Sequence, residues 1–254
     1  MGVTIKVEAG VAEITLDWPG RGNALGPDEA RELRLAFETF DAEPSADAEV
    51  SVLLLTASGK AFCAGGDLRA ISDLVRGGQA AVRGAVYTEF QGLFRAVRNC
   101  PFPLIVAVDG PAIGLGADLA FAGDTVFIGE KGWFRQGWLA LGIVPATGGL
   151  LDLQRRGGRD AVWRFAGANR IGPEEAQQMR LGTAVPVARE AALALARQLA
   201  AQPRDTLLAM KRLSGIADPA QHLATALDYQ VGFLTDPRFA AMASGLLDKA
   251  APKG

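Results

Sequence analysis

The chain opens on two short alternating stretches. Val3–Val7 and Ala12–Leu16 alternate polar and apolar residues around a turn at Ala9-Gly10, which predicts a hairpin. Pro27, followed by Asp28 and Glu29, starts a helix in which Ala30, Leu33, Phe37 and Phe40 recur at helical spacing. Ser51–Thr56 is an apolar run suited to a buried strand, and a loop follows from Gly59 to Gly66. Helices are predicted over Asp67–Val75 and Ala81–Asn99, the second ending before Pro101 and Pro103. Leu104–Val108 reads as a second buried strand, ended by Asp109-Gly110-Pro111. After a glycine-containing turn come a helix from about Leu115 to Ala122 and a strand at Thr125–Ile128.

Beyond Pro145 the alternation of strands and helices gives way to helices alone. Leu150–Arg156, Asp160–Ala166, Pro173–Leu181, Ala188–Ala201, Pro219–Phe233 and Arg238–Lys249 all read as helical, with little strand between them. The order is a β/α core of roughly the first 145 residues and a helical remainder.

Composition narrows the chemistry. The 254 residues hold 49% hydrophobic and 21% charged positions, an ordinary balance for a domain with a sizeable core. Twenty-six basic against 28 acidic residues give a net charge of −2, so neither nucleic acid nor an anionic membrane is an expected partner. The amino terminus lacks the apolar core of a signal peptide, and no apolar run is long enough to span a bilayer; a cytoplasmic protein is expected. Cys63 and Cys100 form neither a disulfide framework nor a metal motif. One histidine, His222, excludes His₃ zinc sites and HExxH helices, and no metal is expected. Carboxylates and backbone amides remain as the agents.

Two loops share one design: a buried strand, closely spaced small residues, then a helix with an acid. They are Lys60–Leu68 (KAFCAGGDL) and Gly110–Leu119 (GPAIGLGADL). Small residues let a ligand oxygen approach the backbone, and the first amides of a helix lack an intrahelical acceptor. Such loops equally serve as packing turns with N-capping aspartates. They match neither GxGxxG nor the P-loop, and no GxSxG elbow is present. A nicotinamide oxidoreductase is correspondingly disfavoured.

The two loops, with DWPGRGNAL (Asp17–Leu25) upstream and LGIVPATGG (Leu141–Gly149) downstream, resemble the crotonase superfamily of enoyl-CoA hydratases and isomerases, from about Val3 to Lys249. The resemblance implies an α/β fold, a crotonase-like spiral of ββα turns with a helical C-terminal trimerisation region. Residues 1–190 would be the spiral core and 191–254 the helical region that completes the CoA site and the oligomer interface. It implies an acyl-CoA thioester as substrate, no cofactor beyond the substrate's own coenzyme A, and a homotrimer or dimer of trimers.

Carried over by motif position, Gly66 and Leu115 would supply the two amides that receive the thioester oxygen, and Asp118 takes the place of the first family glutamate. Its place in a helix first turn would hold its pKa down. Arg21, Ala24 and Leu25 would follow the pantetheine and phosphates. Ala64, Asp67 and Leu68 would border adenine and pantetheine, and Lys249 would reach a CoA phosphate from a neighbouring subunit. The second family glutamate falls on Trp138, which exchanges no proton with carbon and would wall the acyl pocket. A tryptophan there resembles the aryl-CoA dehalogenase branch, yet that branch's nucleophilic aspartate falls on Ala146. Arg135, Tyr87 and Glu89 are further candidates for the acyl pocket. The implied activity is of the enoyl-CoA hydratase/isomerase type with one carboxylate as acid/base. The alternatives are another crotonase reaction (isomerase, decarboxylase or C–C hydrolase) or a non-catalytic acyl-CoA binder.

Overall fold

The computed structural model describes residues 2–40, 50–236 and 238–239. The first strands form the expected hairpin: β1 (Val3–Glu8) pairs antiparallel with β2 (Val11–Leu16) around the left-handed Ala9 and Gly10. Helix α1 (Pro27–Glu38) begins with proline in its first turn, and Glu29 Oε2 accepts from the Gly26 N–H at 2.9 Å. That bond satisfies a terminal amide without the usual serine or threonine. Strand β3 (Val52–Ala57) and helix α2 (Leu68–Arg76) follow, the latter capped by Asp67, whose Oδ1 accepts from the Arg69 and Ala70 amides.

The single helix expected over 81–99 is longer and interrupted. It comprises α3 (Gly78–Ala85), a π-helical turn over Val86–Phe90 and α4 (Gln91–Asn99). An inserted π turn rotates the helix faces on either side of it, which a 3.6-residue period does not register. Strand β4 (Leu104–Val108), helix α5 (Leu115–Phe121) and strand β6 (Thr125–Ile128) fall where the pattern puts them. Strands β5 (Pro111–Ile113) and β7 (Trp133–Arg135), which pair with each other, are too short for alternation to reveal; the sequence reads as turn at β5.

Helix α6 (Gly149–Gly167) carries a break at Gly158 (φ 76°, ψ −177°), so the two predicted helices meet end to end there. Helix α7 (Pro173–Gln178) stops short of Leu181, because Arg180 turns left-handed (φ 60°) and leads into β8 (Thr183–Ala184), a strand absent from the helical reading. Helix α8 (Ala188–Ala200) lies where expected. Helix α9 (Arg204–Ser214), which the apolar pattern did not announce, and α10 (Pro219–Thr235) complete the described elements.

Strands β1, β2, β3, β4, β6 and β8 form one sheet in that order, parallel from β2 onward. Ile14, Leu55, Val106 and Val126 stand side by side across it, all buried. α8 covers β2, β3, β4 and β6, while α1 packs on α4. Each such apolar side chain contributes roughly 1.5–3 kcal/mol on burial. The described residues up to Arg204 form one compact unit, and those from Asp205 a second. Among the described residues no helix is long and apolar enough to cross a membrane.

Candidate functional site

The two glycine turns are laced together. The Cys63 N–H donates to the Pro111 carbonyl at 3.0 Å, and the Ile113 N–H donates to the Cys63 carbonyl at 2.9 Å. A Cβ at Gly116 would overlap the Cys63 carbonyl oxygen, and one at Gly65 would stand 2.7 Å from the Ile113 carbonyl oxygen. Gly65 also has φ +100°, a conformation closed to most side chains. Glycine is required at both positions for the loops to meet.

On the other side the first loop is bound to the RGNAL segment. The Leu25 N–H donates to the Gly65 carbonyl, and the Asp67 N–H donates to the Leu25 carbonyl. Asn23, fully buried and left-handed, anchors that segment. Its Oδ1 accepts from the Trp18 N–H, and its Nδ2 donates to the carbonyls of Ser58 and Ala61. Between these bonds the Gly66 N–H has no backbone acceptor among the described residues. Leu115 is the first residue of α5, so its N–H has no acceptor within the helix. Two undonated amides thus flank the seam between the loops.

Asp118 lies one turn into α5 and is 1% exposed. Its Oδ2 accepts from Thr147 Oγ1 at 2.9 Å, while Oδ1 is buried without a hydrogen-bond partner. A Cβ at Gly149 would overlap the carboxyl group, so the glycine makes the space it fills. Burial pushes the Asp118 pKa up to about 7. The Thr147 hydrogen bond and the Arg98 charge oppose that rise, and the Asp152 charge adds to it. The expectation of a low pKa from the helix dipole is therefore reversed: removal from water outweighs the field of a helix end. Arg98 and Asp152 are themselves paired, Nη2 to Oδ2 at 2.5 Å.

Trp138 is 8% exposed and enters the same neighbourhood. Its ring meets Phe165 at 5.8 Å between centroids, beside a Phe121–Phe134 contact at 4.8 Å. A Cβ on Gly114 would come within 3.8 Å of its Nε1, which puts the indole against the turn that precedes Leu115.

The remaining expected residues gather around the first loop. Arg21 pairs with Glu29 and, at 3.2 Å, with Asp67; Leu68, beside Asp67, is 58% exposed. Ala64 is exposed, and its N–H donates to the Gly22 carbonyl two residues from Ala24. The Leu25 side chain is fully buried, leaving only its backbone at the loop. Lys249 lies outside the described residues.

Glu89 does not join this group. It is buried in the π-helical turn facing α1, where Arg31 holds it at 2.9 Å and Arg34 lies 3.9 Å away. Tyr87 is exposed with Arg95 over its ring, and Arg135 is exposed at the end of β7. Cys63 is a packing residue, its thiol pushed up to about 12 by burial. Among the described residues no group of three His, Cys, Asp or Glu side chains is disposed to hold a metal. Thr147, Arg98 and Asp152 escaped sequence reasoning. Of these only Thr147 lies in a motif, VPATGG, and a threonine there carries no signal apart from its partner; Arg98 and Asp152 left none.

The fold and this pair of interlocked turns define a crotonase-type scaffold, and comparison with known proteins agrees. The sequence profile of the enoyl-CoA hydratase/isomerase family matches residues 6–238. A Mycobacterium tuberculosis protein named "Probable enoyl-CoA hydratase EchA14" is 36% identical over 251 residues, covering 94% of each chain. The 1,2-epoxyphenylacetyl-CoA isomerase of Escherichia coli K12 is 31% identical over 228 residues, 88% of this chain and 85% of that one. A crystal structure of an enoyl-CoA hydratase from Polaromonas sp. JS666 superposes with a TM-score of 0.87 at 26% identity, covering 100% of this chain and 99% of that one. The chain belongs to the enoyl-CoA hydratase/isomerase family.

Proposed function

We propose that the protein transforms acyl-CoA thioesters by stabilising a thioester enolate, with Asp118 as its acid/base. The Gly66 and Leu115 amides receive the thioester oxygen, where negative charge develops as a proton leaves the α-carbon or a nucleophile adds at the β-carbon. A donor of this kind typically contributes on the order of 3–4 kcal/mol to the transition state. The observation that carries the reading is a buried Asp118, with a pKa of about 7, three residues after the undonated Leu115 amide. A group half ionised near neutrality both accepts and returns a proton.

One carboxylate suffices for two of the family's reactions. In hydration Asp118 takes a proton from water as the hydroxyl adds at the β-carbon, then delivers that proton to the α-carbon. In isomerisation it takes a proton from one carbon of the enolate system and returns it to another. Trp138 fills the place of a second acid and supplies an apolar wall. Arg21, Ala24, Leu25, Ala64, Asp67 and Leu68 border the CoA moiety, Lys249 reaches its phosphates, and the chain assembles as a homotrimer or dimer of trimers. These last assignments are supported by family membership.

Turnover of a panel of 2-enoyl-, 3-enoyl- and malonyl-type CoA esters by wild type and Asp118→Ala tests the reading. Loss of about 10²–10⁴-fold in kcat is expected for Asp118→Ala. An unchanged kcat would remove Asp118 from the mechanism. The loss of the second family acid to Trp138 favours one competing reading, a non-catalytic acyl-CoA binder, which tight binding without turnover across the panel would establish.

A further inference from the structure

Asp118 does not present two equivalent oxygens. Its Oδ2 accepts the Thr147 hydroxyl at 2.9 Å, whereas Oδ1 is equally buried and bare of any hydrogen-bond partner. Thr147 is itself buried, on the short segment between Pro145 and the left-handed Gly148 that starts α6. The bare oxygen lies against Gly149, where any side chain would exclude it. A carboxylate with one oxygen already accepting a hydroxyl hydrogen takes up its proton on the other, because protonating the occupied oxygen would evict the donor.

We propose that Thr147 is the positioning residue of the acid/base: its hydroxyl occupies Asp118 Oδ2 and leaves Oδ1 as the atom that carries the proton exchanged with substrate. The proposal rests on the reading of Asp118 as acid/base. The charged groups that bear on this carboxyl are Asp152, on α6, and Arg98, on α4, which are paired with one another. Arg156, further along α6, is turned to the carbonyls of Phe121 and Gly123. Thr147 is the hydroxyl that donates to the carboxyl group directly.

The test follows the protonated carboxyl band of the full-length protein by infrared spectroscopy across pH, with Asp118→Asn assigning the band. A hydrogen bond to the ionised form lowers the titration midpoint, so its removal raises it. In Thr147→Val, nearly isosteric but without the hydroxyl, the midpoint is expected to rise by about one pH unit, with Thr147→Ala as a second hydroxyl-free variant. Thr147→Ser is expected to restore the wild-type midpoint. At pH 7 that shift lowers kcat about fivefold through the smaller ionised fraction, with KM unchanged. An unmoved midpoint in Thr147→Val, or one shifted as far in Thr147→Ser, overturns the proposal. Lost turnover in Asp118→Asn together with an unmoved midpoint in Thr147→Val overturns the positioning role alone. Turnover that survives Asp118→Asn sinks the acid/base reading and the proposal with it.

Discussion

Cys63 and Ala112 stand opposite one another as a parallel bridge pair, and this single pairing joins two loops that are about fifty residues apart in the chain. Through it the undonated amides of Gly66 and Leu115 come to flank the same seam. The closeness of the pairing depends on the lack of a side chain at Gly116, since a methyl group would overlap the Cys63 carbonyl oxygen.

Gly116→Ala is therefore expected to force the loops apart. Overpacking of this kind costs about 1–3 kcal/mol. The variant should unfold at lower denaturant concentration and lose kcat/KM through misplacement of the Leu115 amide. Chemical unfolding and steady-state kinetics measure the two effects separately.

Asp118 makes folding depend on pH with a definite sign. Its folded pKa of about 7 lies above the ordinary 3.8, so the unfolded carboxyl ionises first. The stability associated with this group is complete below pH 3.8 and declines as pH rises, until the folded group has also ionised above about 7. Between pH 5 and pH 8 the decline amounts to about 3 kcal/mol. Asp118→Asn abolishes it, so the variant should gain on wild type by about that amount over this interval in urea titrations at the two pH values.

The Arg98–Asp152 pair should tune Asp118 in opposite directions. Replacing Asp152 with asparagine removes a neighbouring negative charge and lowers the Asp118 midpoint; Arg98→Met removes a positive one and raises it. Arg98→Met also leaves the buried Asp152 carboxylate without its partner, and breaking a buried pair in this way costs about 3–5 kcal/mol. Infrared titration and thermal unfolding of the two variants check both statements.

Trp138 is expected to hold the site together as well as shape it. Its ring packs on Phe165 within a cluster that includes Phe121 and Phe134. Trp138→Ala should cost about 3–5 kcal/mol of stability, and Trp138→Phe much less. If Trp138 walls the acyl pocket, the alanine variant should also accept bulkier acyl chains, as competition among CoA esters would show.

The sequence by itself determined the long elements and the motifs. The opening hairpin, the helix from Pro27, the buried runs at 51–56 and 104–108 and the separation of the helices at 150–156 and 160–166 all follow from periodicity and from glycine and proline, which act locally. It also marked the two glycine loops, because small residues before a helix and an acid within it leave a pattern in one stretch of chain, whereas Gly66, Leu115 and Asp118 were singled out by the family resemblance. Strands β5, β7 and β8 were not legible, since two or three residues carry no period and exist only through their partners. Tertiary structure alone decided the state of Asp118. Local reasoning supplied only the helix dipole and put the pKa too low, whereas burial, Thr147, Arg98 and Asp152 arrive from segments 20 to 34 residues away. The same holds for Glu89, a carboxylate that sequence left free to reach the acyl group and that packing turned toward Arg31. Charge and desolvation act through space, so their balance at a site is fixed only when the chain has folded around it.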